Sequence, residues 1–181
     1  MTIKVVKDIM VPLLEYPTVS NEATLREAVE ALEKAQKKLD PTRYRHRAVL
    51  VFDENNKIVG KVSQLDVLKA LEPKYDQMKD KRSLTRFGFS QEFMKSLFKQ
   101  FELLDQPLDD IGKKAGKLKV KEIMNTPSDG EFVEETATLN EAIHQLVLGH
   151  HQSLLVTRGK DIVGILRQTD VFKEVFEAIV S

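Results

Sequence analysis

The sequence predicts an α+β fold of two tandem β-α-β-β-α units with a helical insert between them. Three paired blocks of residues carry that expectation. Lys7-Asp8-Ile9-Met10 returns as Lys121-Glu122-Ile123-Met124, Ala23-Thr24-Leu25-Arg26-Glu27-Ala28 returns as Ala137-Thr138-Leu139-Asn140-Glu141-Ala142, and Gly60-Lys61-Val62-Ser63-Gln64-Leu65-Asp66 returns as Gly164-Ile165-Leu166-Arg167-Gln168-Thr169-Asp170. The first two pairs lie 114 positions apart and the third 104, so the copies keep one order and differ by ten residues in a single internal interval. Blocks repeated once in a fixed order are the signature of a duplicated supersecondary unit. The expected boundaries are residues 1–72 for the first copy, 73–117 for the insert and 118–181 for the second copy.

In the first copy, Pro12 and Pro17 bound a loop, and Thr18-Val19-Ser20 reads as a short extended segment after it. Thr24 with Glu27 three residues on is a capping box. Leu25, Ala28, Val29, Leu32 and Ala35 then recur at helical spacing, which predicts a helix that buries one face and stops at Leu39-Asp40-Pro41. After the basic stretch Arg43 to Arg47, Ala48-Val49-Leu50-Val51-Phe52 is an apolar run of strand length. Asp53-Glu54-Asn55-Asn56 supplies turn chemistry, and Lys57 to Val62 reads as the second arm of a hairpin. Ser63 opens a helix to about Leu71, stopped near Pro73.

The second copy repeats the plan with fewer residues. Glu131-Phe132-Val133 is its first strand, Thr138 with Glu141 caps its first helix, and Ile143, Leu146 and Val147 continue the apolar face. Ser153 to Thr157, the turn Arg158-Gly159-Lys160 and Asp161 to Leu166 form the hairpin, and the closing helix carries Val171, Phe172, Val175, Phe176 and Ile179 along one side. Each copy has too little sheet to close a core alone, so the pair is expected to complete one another. In the insert, Lys74 to Leu84 is charged with sparse apolar positions, while Ser90 to Leu104 is an amphipathic helix with Phe93, Met94, Leu97, Phe98, Phe101 and Leu104. Five of the nine phenylalanines fall between Phe87 and Phe101, so the insert is expected to be structured. A further short helix begins near Pro107, with Leu108 and Ile111 inward, and Lys113 to Lys121 forms a basic connector containing Gly116.

Composition narrows the function. The 181 residues carry 28 basic and 28 acidic side chains, so no net field draws the chain to nucleic acid or an anionic membrane. Cysteine is absent, which removes disulfides, thiolate nucleophiles and thiolate metal sites. The segment Met1 to Asp8 lacks the apolar core of a signal peptide, and no run approaches the roughly 20 apolar residues of a spanning helix, so the expectation is a soluble, cytoplasmic protein without a membrane partner. No cluster of nucleophile, base and orienting group stands out and there is no P-loop, so the chain reads as a non-enzyme with no catalytic residues.

The order Ile-Met, extended segment, capped helix, hairpin and Gly-h-h-Ser-x-x-Asp-h, where h is apolar, resembles the CBS domain, and its duplication over roughly residues 3–72 and 118–181 resembles a CBS pair, or Bateman module. The resemblance implies two repeats packed through their sheets about a pseudo-twofold axis, with adenine nucleotides or their derivatives bound in two clefts between them. It does not extend to the insert. In such a cleft the closing-motif hydroxyl meets phosphate and the aspartate takes ribose hydroxyls, which places Ser63 and Asp66 in one cleft and Asp170 in the other. The chemistry is consistent. Gly60 and Gly164 let the backbone approach a ligand, with Val62 and Leu166 as ligand-binding candidates in the same segments, a helix N-terminus favours phosphate, and a carboxylate accepts two bonds from a diol. Arg167 stands where a serine or threonine is usual, and its guanidinium suits a more highly charged ligand, making the two clefts unequal. Thr18, Val19, Phe132 and Val133 match the region that holds adenine, and His46-Arg47 and His150-His151 match positions that contact phosphate.

The implied ligand is AMP, ADP, ATP or S-adenosylmethionine, with magnesium where ATP binds, and the implied role is to signal occupancy to a protein partner in trans, as a homodimer. A different reading is open: a dimerisation or scaffold protein with degenerate clefts that works through its Phe-rich insert. Simpler readings compete at each site. Ser63 with Asp66 is also an ordinary capping box. His144, His150 and His151 lack an acidic or thiolate companion in sequence, so no metal is assigned to them. Arg43 to Arg47 reads as a loop or phosphate lip, in preference to a nucleic-acid patch, in a chain of zero net charge.

Overall fold

Ala48-Val49-Leu50-Val51-Phe52 is apolar throughout, as a strand buried on both faces must be, and in the computed structural model of the chain it is the central strand of a three-stranded sheet. The structure describes residues 4–77, 90–103 and 105–181. The strands are β1 (Val11–Pro12), β2 (Thr18–Ser20), β3 (Ala48–Phe52), β4 (Ile58–Ser63), β5 (Phe132–Glu134), β6 (Ser153–Arg158) and β7 (Asp161–Arg167). The helices are α1 (Leu25–Lys38), α2 (Gln64–Ala70), α3 (Lys74–Gln77), α4 (Gln91–Phe101), α5 (Leu108–Ala115), α6 (Val120–Ile123), α7 (Leu139–Gly149) and α8 (Gln168–Val180).

In the first sheet β3 pairs with β2 in parallel and with β4 in antiparallel fashion. In the second, β6 pairs in parallel with β5 and antiparallel with β7, so the two repeats share one β-α-β-β-α plan. Strand β1, from the leading segment of the first repeat, adds to the far edge of the second sheet, with Val11 opposite Ile165 and Pro12 opposite Gly164. The expected strand at Glu131 starts one residue later. Ser128 N–H and Oγ–H donate to the Glu131 carboxylate at 2.7 and 3.1 Å, which holds Asp129–Glu131 in a 3-10 turn.

The capping boxes form as the sequence implies. Thr24 Oγ1 accepts from Glu27 N–H at 3.3 Å while the Glu27 carboxylate takes the Thr24 N–H, and Thr138 with Glu141 does the same. The apolar faces are less simple. Leu25 and Ala28 on α1 and Ala142 and Leu146 on α7 are buried, whereas Val29, Val147, Phe172, Phe176 and Ile179 are exposed despite their helical spacing.

The segments that lead into the repeats are exchanged. Val6, Ile9 and Met10 pack into the core of the second repeat with Leu146, Leu154 and Val171, while Val120, Ile123 and Met124 pack into the core of the first with Leu25, Val51 and Val62. Main-chain bonds mirror the exchange. Leu25 N–H donates to Leu118 O at 2.8 Å and Leu139 N–H donates to Lys4 O at 3.1 Å, a pair related by the internal repeat. A third cluster of Val11, Tyr16, Leu50, Leu155 and Ile165 joins the two sheets. Neither repeat therefore holds all of its own core.

The described part of the insert is anchored to the first repeat. Ala115 of α5 lies in that core, and Arg26 N–H donates to Gly116 O at 3.1 Å. Ser90 caps α4, on which Leu97 is buried, and Lys74 Nζ donates to the carbonyls of Phe101 and Glu102 at 2.9 and 3.0 Å, satisfying the last turn. Phe87, Phe89, Leu104 and most of the charged stretch from Lys74 to Leu84 lie outside the described residues.

Candidate functional site

Each hairpin ends at the residue that caps the following helix, Ser63 before α2 and Arg167 before α8. In the first repeat the Ser63 hydroxyl and N–H donate to Asp66 Oδ2 at 2.7 and 2.8 Å, and Asp66 N–H donates back to Ser63 Oγ at 3.2 Å. Asp66 is buried, and its other oxygen accepts from Asn125 Nδ2 at 3.1 Å. Asn125 arrives on the exchanged segment, pinned by reciprocal main-chain bonds with Lys61 at 2.9 and 3.0 Å.

The second repeat fills the same two helix positions with opposite charges. Arg167 Nε and Nη2 donate to the two carboxylate oxygens of Asp170, each at 2.6 Å, and Nη1 donates to Tyr44 O at 2.8 Å and to His46 Nδ1 at 3.2 Å. Arg167 is only 5% exposed and His46 only 1%. Because His46 Nδ1 accepts, the imidazole is neutral with its proton on Nε2. Burial, reinforced by the positive charges of Arg167 and Arg43, lowers the His46 pKa to about 4. The Tyr16 ring meets His46 edge-on with centroids 4.8 Å apart, and burial pushes the phenol up to about 12. The loop ahead of β3 in one repeat is thus tied to the closing motif of the other.

Four spaces surround these groups. A small cavity of about 50 Å³ lies at the junction of the repeats, lined by Arg45, Arg47, Lys61, Ser63, Ser153 and Arg167. Its cations are unequal in partners. Lys61 Nζ donates to Ser153 Oγ at 3.1 Å and lies 3.9 Å from Glu131, whereas the Arg45 and Arg47 side chains have no hydrogen bond or ion pair among the described residues. A cavity of about 580 Å³ is lined by Tyr16, Thr18, Lys34, Arg43 and His46, and one of about 210 Å³ by Asp8, Thr42, Arg43, Tyr44, Asp170 and Lys173. A groove of about 820 Å³ runs between α7 and α8.

The sequence-derived residues do not all converge on one place. Arg47, Ser63 and Arg167 meet around the junction cavity, with Asp66 and Asp170 bonded to Ser63 and Arg167; Thr18 lines the 580 Å³ cavity. Val19 and Val62 bury their side chains in the first core and Val133 and Leu166 in the second, so these four have only backbone to offer a cleft; Phe132 packs on the cluster between the sheets. Gly60 and Gly164 face protein. A Cβ on Gly60 would lie 2.4 Å from Met124 Sδ, and one on Gly164 would lie 2.6 Å from Val11 O, so the close approach these glycines permit is by the exchanged segments. His150 caps α7 in the left-handed region and lines the groove with His151, while His46 is buried and neutral, unlike the phosphate contact expected of it. Among the described residues no three His, Asp or Glu side chains converge as metal ligands. Sequence reasoning missed Asn125, Tyr44, Tyr16 and Lys61. Asn125 directly follows the repeated Ile-Met pair, Lys61 lies in the repeated closing motif and Tyr44 in the Arg43–Arg47 run, signals that could have found them.

The family profile of the CBS domain matches residues 6–73 and 120–177. The chain belongs to the CBS domain family. The CBS pair is similar to solved structures across nearly its whole length. That of CBSX2 in complex with AMP shares 20% identity over 96% of this chain and 97% of the other, with a TM-score of 0.58. A CBS domain-containing protein of unknown function from Bacillus anthracis shares 16% over 96% and 94%, with a TM-score of 0.62, and one from Kribbella flavida shares 19% over 96% and 98%, with a TM-score of 0.60. These likenesses carry the fold, tandem CBS repeats. Among curated proteins none matches the chain. No helix among the described residues of this CBS pair is long and apolar enough to cross a membrane.

Proposed function

We propose that this CBS pair is a cytoplasmic, non-catalytic regulatory module that binds an adenine nucleotide between its repeats and passes occupancy to a protein partner in trans. One observation carries the reading: each closing motif meets groups supplied by the other repeat, Asp66 the Asn125 amide and Arg167, which holds Asp170, the Tyr44 carbonyl and the His46 ring. A ligand at either carboxylate touches both repeats, so its binding energy depends on how they sit together, which is what a sensor requires. The AMP complex of CBSX2 supports the ligand class. Arg45, Arg47 and Lys61 at the junction suit the phosphate end.

A homodimer is part of the proposal. Leu65 and Leu68 on α2, and Phe172, Phe176 and Ile179 on α8, are large, apolar and exposed, and the two helices are equivalents in the internal repeat. A second copy related by a twofold axis would cover both at once.

The test is calorimetry and thermal shift with AMP, ADP, ATP and S-adenosylmethionine, with and without magnesium. A ligand at 100 times its dissociation constant raises stability by about 2.7 kcal/mol. Silence across all four, or affinity unchanged by Asp66→Ala combined with Asp170→Ala, would refute the reading. Partner capture lost on deletion of residues 85–112, with nucleotide binding absent, would favour the scaffold role instead.

A further inference from the structure

We infer that Arg167 is a built-in occupant of the cleft at Asp170, leaving the cleft at Asp66 as the one that accepts nucleotide; this rests on the adenine-nucleotide reading above. The two repeats present the same helix positions with different chemistry. At Asp66 every side-chain partner is neutral, the Ser63 hydroxyl and the Asn125 amide, and Asn125 can leave by rotation about its own side-chain bonds. The carboxylate keeps an uncompensated negative charge there, able to take two donors from a ribose diol.

At Asp170 both oxygens already receive charge-assisted bonds from one guanidinium, in the bidentate geometry that a carboxylate accepts best. The third guanidinium nitrogen is equally committed, to the Tyr44 carbonyl and His46 Nδ1 across the repeat boundary. A nucleotide that drew Arg167 to its phosphate and Asp170 to its ribose would strip buried His46 of that donor, and the carbonyl of the more exposed Tyr44 with it.

Shortening Arg167 to the hydroxyl present in the first repeat removes both of its bonds to Asp170 and frees that carboxylate.

The experiment is AMP titration of the full chain by calorimetry, read as sites per chain, with melting curves to confirm folding. Wild type is expected to bind one AMP, Arg167→Ser two, Asp66→Ala none, and Asp66→Ala with Arg167→Ser one, the new site being at least tenfold tighter than any residual binding there in wild type. Arg167→Gln, which shortens the side chain and removes its charge, serves as a second variant should Arg167→Ser fail to fold. Two sites in wild type, or no added site in either Arg167 variant, would overturn the inference while leaving the sensor reading intact. If wild type binds no AMP, the sensor reading loses its ligand. In that case an AMP site appearing in an Arg167 variant still supports the plug, and none overturns it.

Discussion

Alanine at the two closing-motif glycines should separate a yielding contact from an unyielding one. On Gly164 a Cβ would sit 2.6 Å from the Val11 main-chain oxygen and 3.0 Å from Met10 Sδ; on Gly60 it would sit 2.4 Å from Met124 Sδ and 2.9 Å from Met124 Cγ, with the Asn125 oxygen at 3.2 Å. The methionine can swing aside, whereas Val11 is held in register on β7. Overpacking costs about 1–3 kcal/mol, the upper end applying where backbone must move. The lost freedom of the unfolded chain returns about 0.4–1 kcal/mol at a glycine whose backbone angles suit alanine. Gly164→Ala should therefore lose about 2 kcal/mol net, and Gly60→Ala should stay within about 0.5 kcal/mol of wild type. For a chain of this size that is a fall of about 4–8 °C in Tm for Gly164→Ala, with a matching shift in urea midpoint. Equal losses at the two positions, or none at Gly164, would mean that the Val6–Val11 segment does not dock on the second repeat, and the exchanged architecture would fall with it.

Two further outcomes test the interior. Val120 is fully buried in the core of the first repeat although it follows the insert in sequence, so Val120→Ala should cost about 2–3 kcal/mol by urea denaturation, against less than about 0.5 kcal/mol for exposed Val180→Ala. His46 should make stability depend on pH. Its folded pKa of about 4 lies below the ordinary value of 6.5, so its contribution is complete above pH 6.5 and is lost as the unfolded chain gains a proton between pH 6.5 and 4. The loss is at most about 3 kcal/mol, and His46→Gln should flatten the slope of stability against pH in that window; an unchanged slope would contradict the buried neutral imidazole.

Much of the architecture was legible because it rests on local chemistry. The Thr24–Glu27 and Thr138–Glu141 boxes, the apolar run of β3 and the turn at Asp53, whose carboxylate accepts from Asn55 and Lys57 N–H, act within a few residues of chain, and spacing reports them directly. Partners were not legible. No local pattern marks Val6 or Val120 as core or says in which repeat they lie, and helical spacing marks Phe172 and Phe176 as apolar though α8 leaves them in solvent. The same holds at the candidate site: the opposite charges of Arg167 and Asp170, three residues apart across the start of α8, were a visible signal for an internal pair beside the ligand role expected of each. Asn125, Tyr44 and His46 entered the clefts from the other repeat, and no window of sequence joins them to Asp66 or Asp170.

The exchanged segments also set an order of events during synthesis. A domain whose core residues are contiguous can close as soon as its last strand leaves the ribosome. Here the first repeat lacks Val120, Ile123 and Met124 until the insert has been made, and Val6, Ile9 and Met10 must wait, unburied, for β6, β7 and α8. The two repeats therefore mature together only once α8 has been made, and a chain cut in the insert would give two halves that fold only by finding each other.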